Sequence, residues 1–372
     1  MVENSGLERI SVTRCTHSGD EVRAFGFVKR NGEGSMSNVK SNIIGGALAV
    51  FSSIALCRLA AFVFQPEDYA RIAEISLGVT TGYPVWKTFQ NRVLGPYIIK
   101  ALTFSPLDYI QAFIVFQIVT VSIAAFLCWF LGRKYGGNNQ SALLALTVFV
   151  ACFALILSPP WLYSWDLIDV IVFILFVHLV LAGMSLPWFI GLFAVAILNR
   201  DSALFVPLWL VLDPIVRFFC QRSYKLRPAA VDYRQILAGA ACIVVGFLIL
   251  ESLKRNLIVE DVGPKLYPNV ATYFGTYNIA IVPNVTRLKD SLTHFTSPFR
   301  FVIPIFLAIV IVLGAGVVRL DPPRYLALYL VELSFMASLF VFGYFYETRI
   351  YLPLIAFVVM SAVLLSRPRA SN

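Results

Sequence analysis

Carboxylates and guanidiniums placed where apolar stretches end are the residues of this chain with chemistry to offer. Glu67 and Asp68 sit together in FQPEDYARI, Arg92 lies in QNRVLGP, and Asp166 and Asp169 are three apart in PPWLYSWDLIDVIVF. Arg200 and Asp201 are adjacent in ILNRDSALFVP, and Glu347 and Arg349 share FYETRIYLP. A carboxylate near a bilayer surface can take the proton of an acceptor hydroxyl or hold a divalent cation beside a phosphate. An arginine there presents a planar fork of donors that matches phosphate or carboxylate. Each residue also has a plainer reading. Glu67 and Asp68 suit the first turn of a helix electrostatically. Arg200 with Asp201 can close a hairpin as an ion pair, and Glu347 with Arg349 can be a structural salt bridge. The three-residue spacing puts Asp166 and Asp169 on one helix face, where one could act as a base and the other orient it, or where both could mark a helix start.

The elements that must position these residues are membrane spans. Of 372 residues, 59% are hydrophobic and 14% charged, and the mean hydropathy is +0.78. That balance excludes an ordinary soluble domain and predicts an all-α, polytopic helical bundle. The six cysteines are scattered and form no CxxC or Cys/His spacing suited to zinc or redox work. Histidine is confined to His17, His178 and His294, which leaves carboxylates and arginines as the reactive candidates.

Ten apolar segments can be read: 43–64, 109–131, 142–158, 162–182, 186–199, 203–218, 236–250, 301–318, 325–345 and 350–365. A span needs ~20 residues, so the fifth, sixth and seventh read as short, with connecting loops drawn into the membrane. Residues 1–42 read as a disordered basic tail within which Met36 offers a second start, 43–366 as the transmembrane domain, and 367–372 as a short tail. Placing both termini in the cytoplasm puts Arg133, Lys134, Arg217, Arg222, Lys225, Arg227, Arg234, Arg319, Arg324, Arg367 and Arg369 inside, as the positive-inside rule requires. The candidate residues then all fall on the opposite face.

Two long loops share that face. In the first, EDYARIAEISLGV and WKTFQNRVLGPYIIKAL have the spacing of interfacial amphipathic helices, able to rim a lipid-accessible groove. The second holds Tyr267, Tyr273, Phe274, Tyr277, Pro283 and Phe295, an aromatic set suited to the headgroup level. Within the spans, Arg58 can snorkel outward, and Glu332 and His178 are expected to make buried helix-to-helix hydrogen bonds. The sequons at Asn139 and Asn284 are too short a pattern to argue from.

The acidic pair Glu67 and Asp68 just after the first span, the amphipathic first outer loop and about ten spans with cytoplasmic ends together resemble the type-C glycosyltransferases. Those multi-spanning enzymes take sugars from lipid-phosphate donors on the extracytoplasmic side. The chain also looks like a branch of bacterial polytopic proteins carrying elements such as NRVLGPYI, NRDSALFVP and ETRIYLPL. The resemblance covers roughly residues 43–365, through short motifs, and this chain lacks a large carboxy-terminal extracytoplasmic domain. It implies a bacterial inner-membrane enzyme moving a sugar from a polyprenyl-phosphate donor to a glycan or lipid acceptor, within membrane lipid and without nucleic acid. It implies Asp68 or Glu67 as base or metal ligand, with Asp166 an alternative base, and Arg92, Arg200 and Arg349 on the donor phosphate. Asp201 and Glu347 would support them, and a divalent cation is a possible cofactor. The rival expectations are a lipid-linked glycan transporter or flippase, a glycan polymerase or acyltransferase, and a non-catalytic envelope-assembly subunit.

Overall fold

The computed structural model describes residues 34–64, 69–83, 92–157, 162–223, 231–257, 280–293, 298–343 and 347–367. The chain divides into two units, Met1–Lys40 and Ser41–Asn372. Of the first, only the opening turns of a helix are described, beginning at Gly34 within the stretch read as a tail. The second is a helical bundle, and no strand occurs among the described residues.

The helices are α1 (Gly34–Arg58), α2 (Tyr69–Thr81), α3 (Leu94–Leu102), α4 (Tyr109–Gly136), α5 (Asn139–Ile156), α6 (Ser164–Ala182), α7 (Leu186–Ala196), α8 (Phe205–Ser223) and α9 (Tyr233–Leu257). After them come α10 (Ile281–Thr293), α11 (Pro298–Val318), α12 (Pro322–Phe342) and α13 (Leu354–Leu365). α1 passes into a π-helical turn at Leu59–Phe64, and short 3-10 turns, Asp201–Leu204 and Thr348–Tyr351, stand ahead of α8 and α13.

Local chemistry sets several of these boundaries. The Asp108 carboxylate accepts from the Gln111 backbone N–H at 2.8 Å, while the Gln111 side chain accepts from the Asp108 N–H at 3.2 Å. This reciprocal pair satisfies two of the donors a helix start leaves over. At the other end of α4, Gly137 turns the chain at φ +83°, a conformation that costs glycine nothing. Asn138 then caps α5 through the Ser141 N–H at 2.7 Å. Two residues thus stop one span and start the next, and the close approach of Gly132 to Ala145 and to the Ser141 carbonyl leaves no room for a side chain there.

Seven described helices are long and apolar enough to cross a membrane, and α7, α11 and α13 contribute shorter apolar lengths. The chain is a multi-pass membrane protein with an all-α fold. Two expected lengths need correction: the sixth span runs Asp201–Cys220, 20 residues, and the seventh Tyr233–Leu257, 25 residues. The seventh continues past Glu251, the charge at its expected end, and the sixth takes in Asp201 ahead of it and Phe219 and Cys220 beyond it. Asp213 pairs with Arg217 at 2.9 Å and Glu251 with Arg255 at 2.8 Å, each one helical turn apart, so the charges are partnered along the helix rather than breaking it. The fifth is short as expected, 11 residues.

α6 is the axis of the bundle, with 78% of its apolar window buried. It packs against α4, α7 and α13, while α4 packs most extensively on α5 and α8 on α9. Its inner face carries Trp165, Phe173 and Phe176, all fully buried, and Phe173 meets Phe335 of α12 and Phe357 of α13. By contrast α9 has only 17% of its window buried and shows Leu237, Val244, Phe247 and Leu248 outward. A helix apolar outside in this way is matched to lipid.

The first-loop helices differ from expectation. α2 is wedged into the bundle, with Ile72, Ala73, Ser76 and Val79 buried. α3 starts at Leu94, so Arg92 and Val93 precede the helix instead of lying in it. The cause is visible in the backbone: the Val93 and Leu94 N–H groups both donate to the Leu198 carbonyl at 3.0 Å, which ties this entry to the end of α7. Trp86 and Phe89, like Tyr267, Tyr273, Phe274, Tyr277 and Phe295, lie outside the described residues.

Candidate functional site

The first turn of α6 gathers charge from three other segments of the chain. Asp166, fully buried, accepts from Arg200 Nη1 at 3.2 Å and from Arg349 Nη1 at 3.2 and 3.3 Å on its two oxygens. Its Oδ2 also accepts from the Tyr163 backbone N–H at 3.1 Å. Asp169, one turn on and also fully buried, takes the Ser202 hydroxyl at 2.7 and 2.8 Å and lies 3.7 Å from Arg200. Arg349 continues to Glu347 at 3.2 Å, and Arg200 Nε stands 3.8 Å from Asp201. The two aspartates do share one helix face, and Arg200 bridges them.

The aromatic residues beside Asp166 complete the arrangement. The rings of Tyr163 and Trp165 stack with centroids 4.7 Å apart and planes 8° from parallel. Arg349 lies 4.5 Å over the tyrosine ring and Arg92 5.2 Å over the tryptophan ring. A guanidinium held over an aromatic face keeps its charge in a dry setting through the ring quadrupole. Arg92, Arg200 and Arg349 thus converge, from the loop before α3, the turn before α8 and the turn before α13.

The short elements are what bring these arginines to one level. An 11-residue helix rises ~16 Å, about half of a ~30 Å hydrocarbon layer, so the chain through α7 turns back at Leu198–Arg200 before a full crossing. α13, with 12 residues, is short in the same way. The Asn199 amide donates to the Trp165 carbonyl at 2.8 Å, which locks that turn to α6. Gly95 comes so close to Ser164 that a side-chain carbon would sit 2.8 Å from its Cβ and Oγ, which holds the start of α3 against the start of α6.

The cluster sets three guanidiniums among the carboxylates of Asp166, Asp169, Asp201 and Glu347, and its charges are unevenly paired. Burial, and after it the like charges of Arg200 and Arg349, push Arg92 down to about 10 against weaker support from Asp201 and Asp166. Arg349 is also opposed by burial, but Glu347 and then Asp166 and Tyr163 hold it above the ordinary arginine value. An anion beside Arg92 would offset that cost of burial.

Glu67 and Asp68 lie outside the described residues. The residue that follows them, Tyr69, is fixed: its hydroxyl donates to the Gln117 side-chain oxygen, and the Gln117 amide donates to the Leu162 carbonyl at 3.4 Å. Leu162 is next to Tyr163, so the chain just after the acidic pair is tied to the loop that shapes the cluster. Ser76 and Ser164, 3.1 Å apart, with Tyr109 reaching Ser76, make a second link between α2 and α6. Neutral Tyr163, Trp165, Asn199, Ser202, Tyr69 and Gln117 were not singled out by sequence. Their one signal was adjacency to the charged motifs. Asp201, with a side chain 63% exposed, is the cluster's carboxylate open to the outside. Among the described residues no three of His, Cys, Asp and Glu are grouped to hold a metal ion.

The remaining polar expectations divide. His178 is hydrogen-bonded across helices, its Nδ1 2.7 Å from the Tyr135 hydroxyl of α4. Glu332 is not as expected: its Oε1 is buried with no hydrogen-bond partner among the described residues. Asn284 is fully buried and donates to the Phe340 and Gly343 carbonyls at 2.7 and 2.8 Å. It therefore clamps α10 to the end of α12 and is closed to glycosylation in the folded chain. No protein-family model, curated protein or solved structure matches this chain.

Proposed function

We propose that the chain is a membrane glycosyltransferase which moves a sugar from a polyprenyl-phosphate donor to an acceptor hydroxyl at the end of the bundle where the arginines meet. The observation that carries this reading is the convergence of Arg92, Arg200 and Arg349 on the first turn of α6. A lipid phosphate is the anion that would reach such a cluster from within a bilayer, and forked donors in a water-poor setting suit its oxygens. The helix start itself adds N–H dipoles of the favourable sign.

In the reaction, the acceptor oxygen forms a bond to the anomeric carbon while the bond from that carbon to the donor phosphate oxygen breaks. The electron pair leaves with polyprenyl phosphate, and a carboxylate removes the acceptor proton. Arginines stabilise the charge that builds on the departing phosphate. Asp166 is engaged by two guanidiniums and a backbone N–H, so its part is to aim them. Proton removal falls to Asp68 or Glu67, which directly precede the anchored Tyr69 in the sequence, with Asp201 the exposed carboxylate beside Arg200. The basic residues at the far end of the bundle, Arg133, Lys134, Arg217, Arg234, Arg319, Arg324 and Arg367, support a cytoplasmic location for that end under the positive-inside rule. The reacting face is then extracytoplasmic, and a bacterial inner membrane is the setting that supplies polyprenyl-phosphate sugars there.

The test uses purified full-length protein, a panel of polyprenyl-phosphate sugars and glycan or lipid acceptors, with products read by mass. Transfer of one sugar, abolished in the Asp68→Asn, Glu67→Gln double variant that still folds, is the expected result. Full activity in that variant would overturn the base. Absence of transfer across the panel, together with binding of polyprenyl phosphate that is unchanged by Arg200→Ala, would overturn the function.

A further inference from the structure

A second polar feature lies in the opposite half of the bundle. Glu332 stands at the centre of α12, 3% exposed, with Oε1 lacking a hydrogen-bond partner among the described residues. Its Oε2 would sit 2.8 Å from a side-chain carbon built on Gly314 of α11, so the glycine is what admits the carboxyl between the helices. Ten residues from the start of α12 correspond to ~15 Å of rise, which puts Glu332 near mid-membrane. An intramembrane carboxyl with an unsatisfied oxygen points to function rather than to packing.

A cavity of ≈ 20 Å³ adjoins it, with Ser361 of α13 and Tyr325 and Tyr329 of α12 among its polar lining. That is room for a water molecule, and the lining offers the two or more polar partners a buried water needs. The walls run from Glu332, Gly314 and Phe357 to Leu181, Val317 and Leu364, residues at the last turns of α6, α11 and α13. The cavity therefore extends from mid-membrane toward the basic end, away from the arginine cluster.

We propose that Glu332 anchors a water-holding pocket through which its carboxyl exchanges protons with the solvent at the basic end of the bundle. Few other charges bear on it. α11 and α13 bring no ionisable side chain between Phe301 and Val318 or between Leu354 and Leu365, and Arg319 and Arg367 stand just beyond them. On α12 itself are Tyr329, whose hydroxyl donates to the Ile311 carbonyl at 3.3 Å, and Tyr325, with Arg324 5.6 Å over its ring. Arg324 donates to the Leu181 carbonyl. From α6 comes His178, occupied by Tyr135, and from α8 the Asp213 and Arg217 pair. The inference does not depend on the glycosyl-transfer reading.

Infrared difference spectra of the full chain against Glu332→Gln test it. The expected result is a carboxyl signal belonging to Glu332 that changes as bulk pH is stepped and shifts in D2O while the helical amides stay unexchanged. A Glu332 signal indifferent to both pH and D2O would overturn the proposal. Should the glutamine variant not fold, radiolytic hydroxyl-radical footprinting of the wild-type chain decides. Met360, a cavity-lining residue only 3% exposed, should be oxidised severalfold faster than Cys128, which is 1% exposed. Met360 modified no faster than Cys128 refutes the water pocket.

Discussion

Asp166→Asn is the perturbation that most sharply tests the central cluster. The wild-type carboxylate faces two guanidiniums whose side chains are 7% and 5% exposed, at 3.2 Å each. Removing one partner of a buried ion pair costs roughly 3–5 kcal/mol, because the charges left behind stay desolvated. Asparagine keeps the shape and one acceptor oxygen but turns an amide donor toward a guanidinium, so about 3 kcal/mol is expected, and about 5 kcal/mol for Asp166→Ala. Asp201→Asn is the internal control: its partner is 3.8 Å away and its side chain 63% exposed, so its loss should stay below about 1 kcal/mol. The assay is unfolding in mixed micelles with rising SDS fraction, followed by far-ultraviolet circular dichroism. Combining Asp166→Asn with Arg349→Gln should show a coupling on the order of 1–3 kcal/mol. Equal losses for Asp166→Asn and Asp201→Asn, or no coupling between Asp166 and Arg349, would refute the buried network.

Arg349→Lys, which keeps the charge and loses the fork, is expected to weaken polyprenyl-phosphate binding about tenfold, measured by lipid competition; unchanged affinity would remove Arg349 from the phosphate site. Gly95→Val should destabilise by roughly 1–3 kcal/mol through overlap with Ser164 and should weaken lipid-phosphate binding with it; a neutral effect would mean α3 does not hold Arg92 in place. With the other cysteines replaced, Asp201→Cys should react with a membrane-impermeant thiol reagent added to intact cells, whereas Lys225→Cys should react only after permeabilisation. The reverse pattern would invert the orientation. Asn284→Leu should loosen α10 from α12, seen as faster amide exchange over 281–293, and unchanged exchange would show that the clamp bears no strain.

The arginine motifs were legible because a guanidinium at the edge of an apolar stretch is costly enough to demand a partner, and Asp166 and Asp169 because three-residue spacing has one meaning on a helix. The plainer readings were legible too, and they coexist with the functional ones: Arg200 does meet Asp201, and Glu347 does meet Arg349. What could not be read were contacts made by neutral groups. Tyr163 and Trp165 looked like an interfacial helix start, and nothing in their spacing says that each lies under an arginine from a remote loop. Gln117 and Asn199 each donate one hydrogen bond to a backbone carbonyl, as any polar amide in a span can. The seventh span looked short because Glu251 stands at the edge of its apolar stretch, when the Glu251–Arg255 pair lets the helix run on, and the sixth gains its length at both ends, from the turn at Asp201 to Cys220. α10 was hidden because IVPNVTRLKDSLT mixes apolar and charged residues too evenly to stand out beside true spans, although its buried Asn284 and Ser291 share one face.

The distance along the chain between the cluster's partners has a consequence for biogenesis. Asp166 meets Arg200 across 34 residues but Arg349 across 183. Ribosomes add roughly 5–20 residues per second, so α6 waits on the order of 10–40 s for its second guanidinium. During that interval Arg200, delivered by the hairpin of α7 and α8, is the counter-charge that lets two aspartates remain in the bilayer. A chain arrested before residue 347 should therefore hold α6 in the membrane with Arg200 present and release it to surveillance proteases with Arg200→Ala, whereas loss of Arg349 should act only after synthesis is complete.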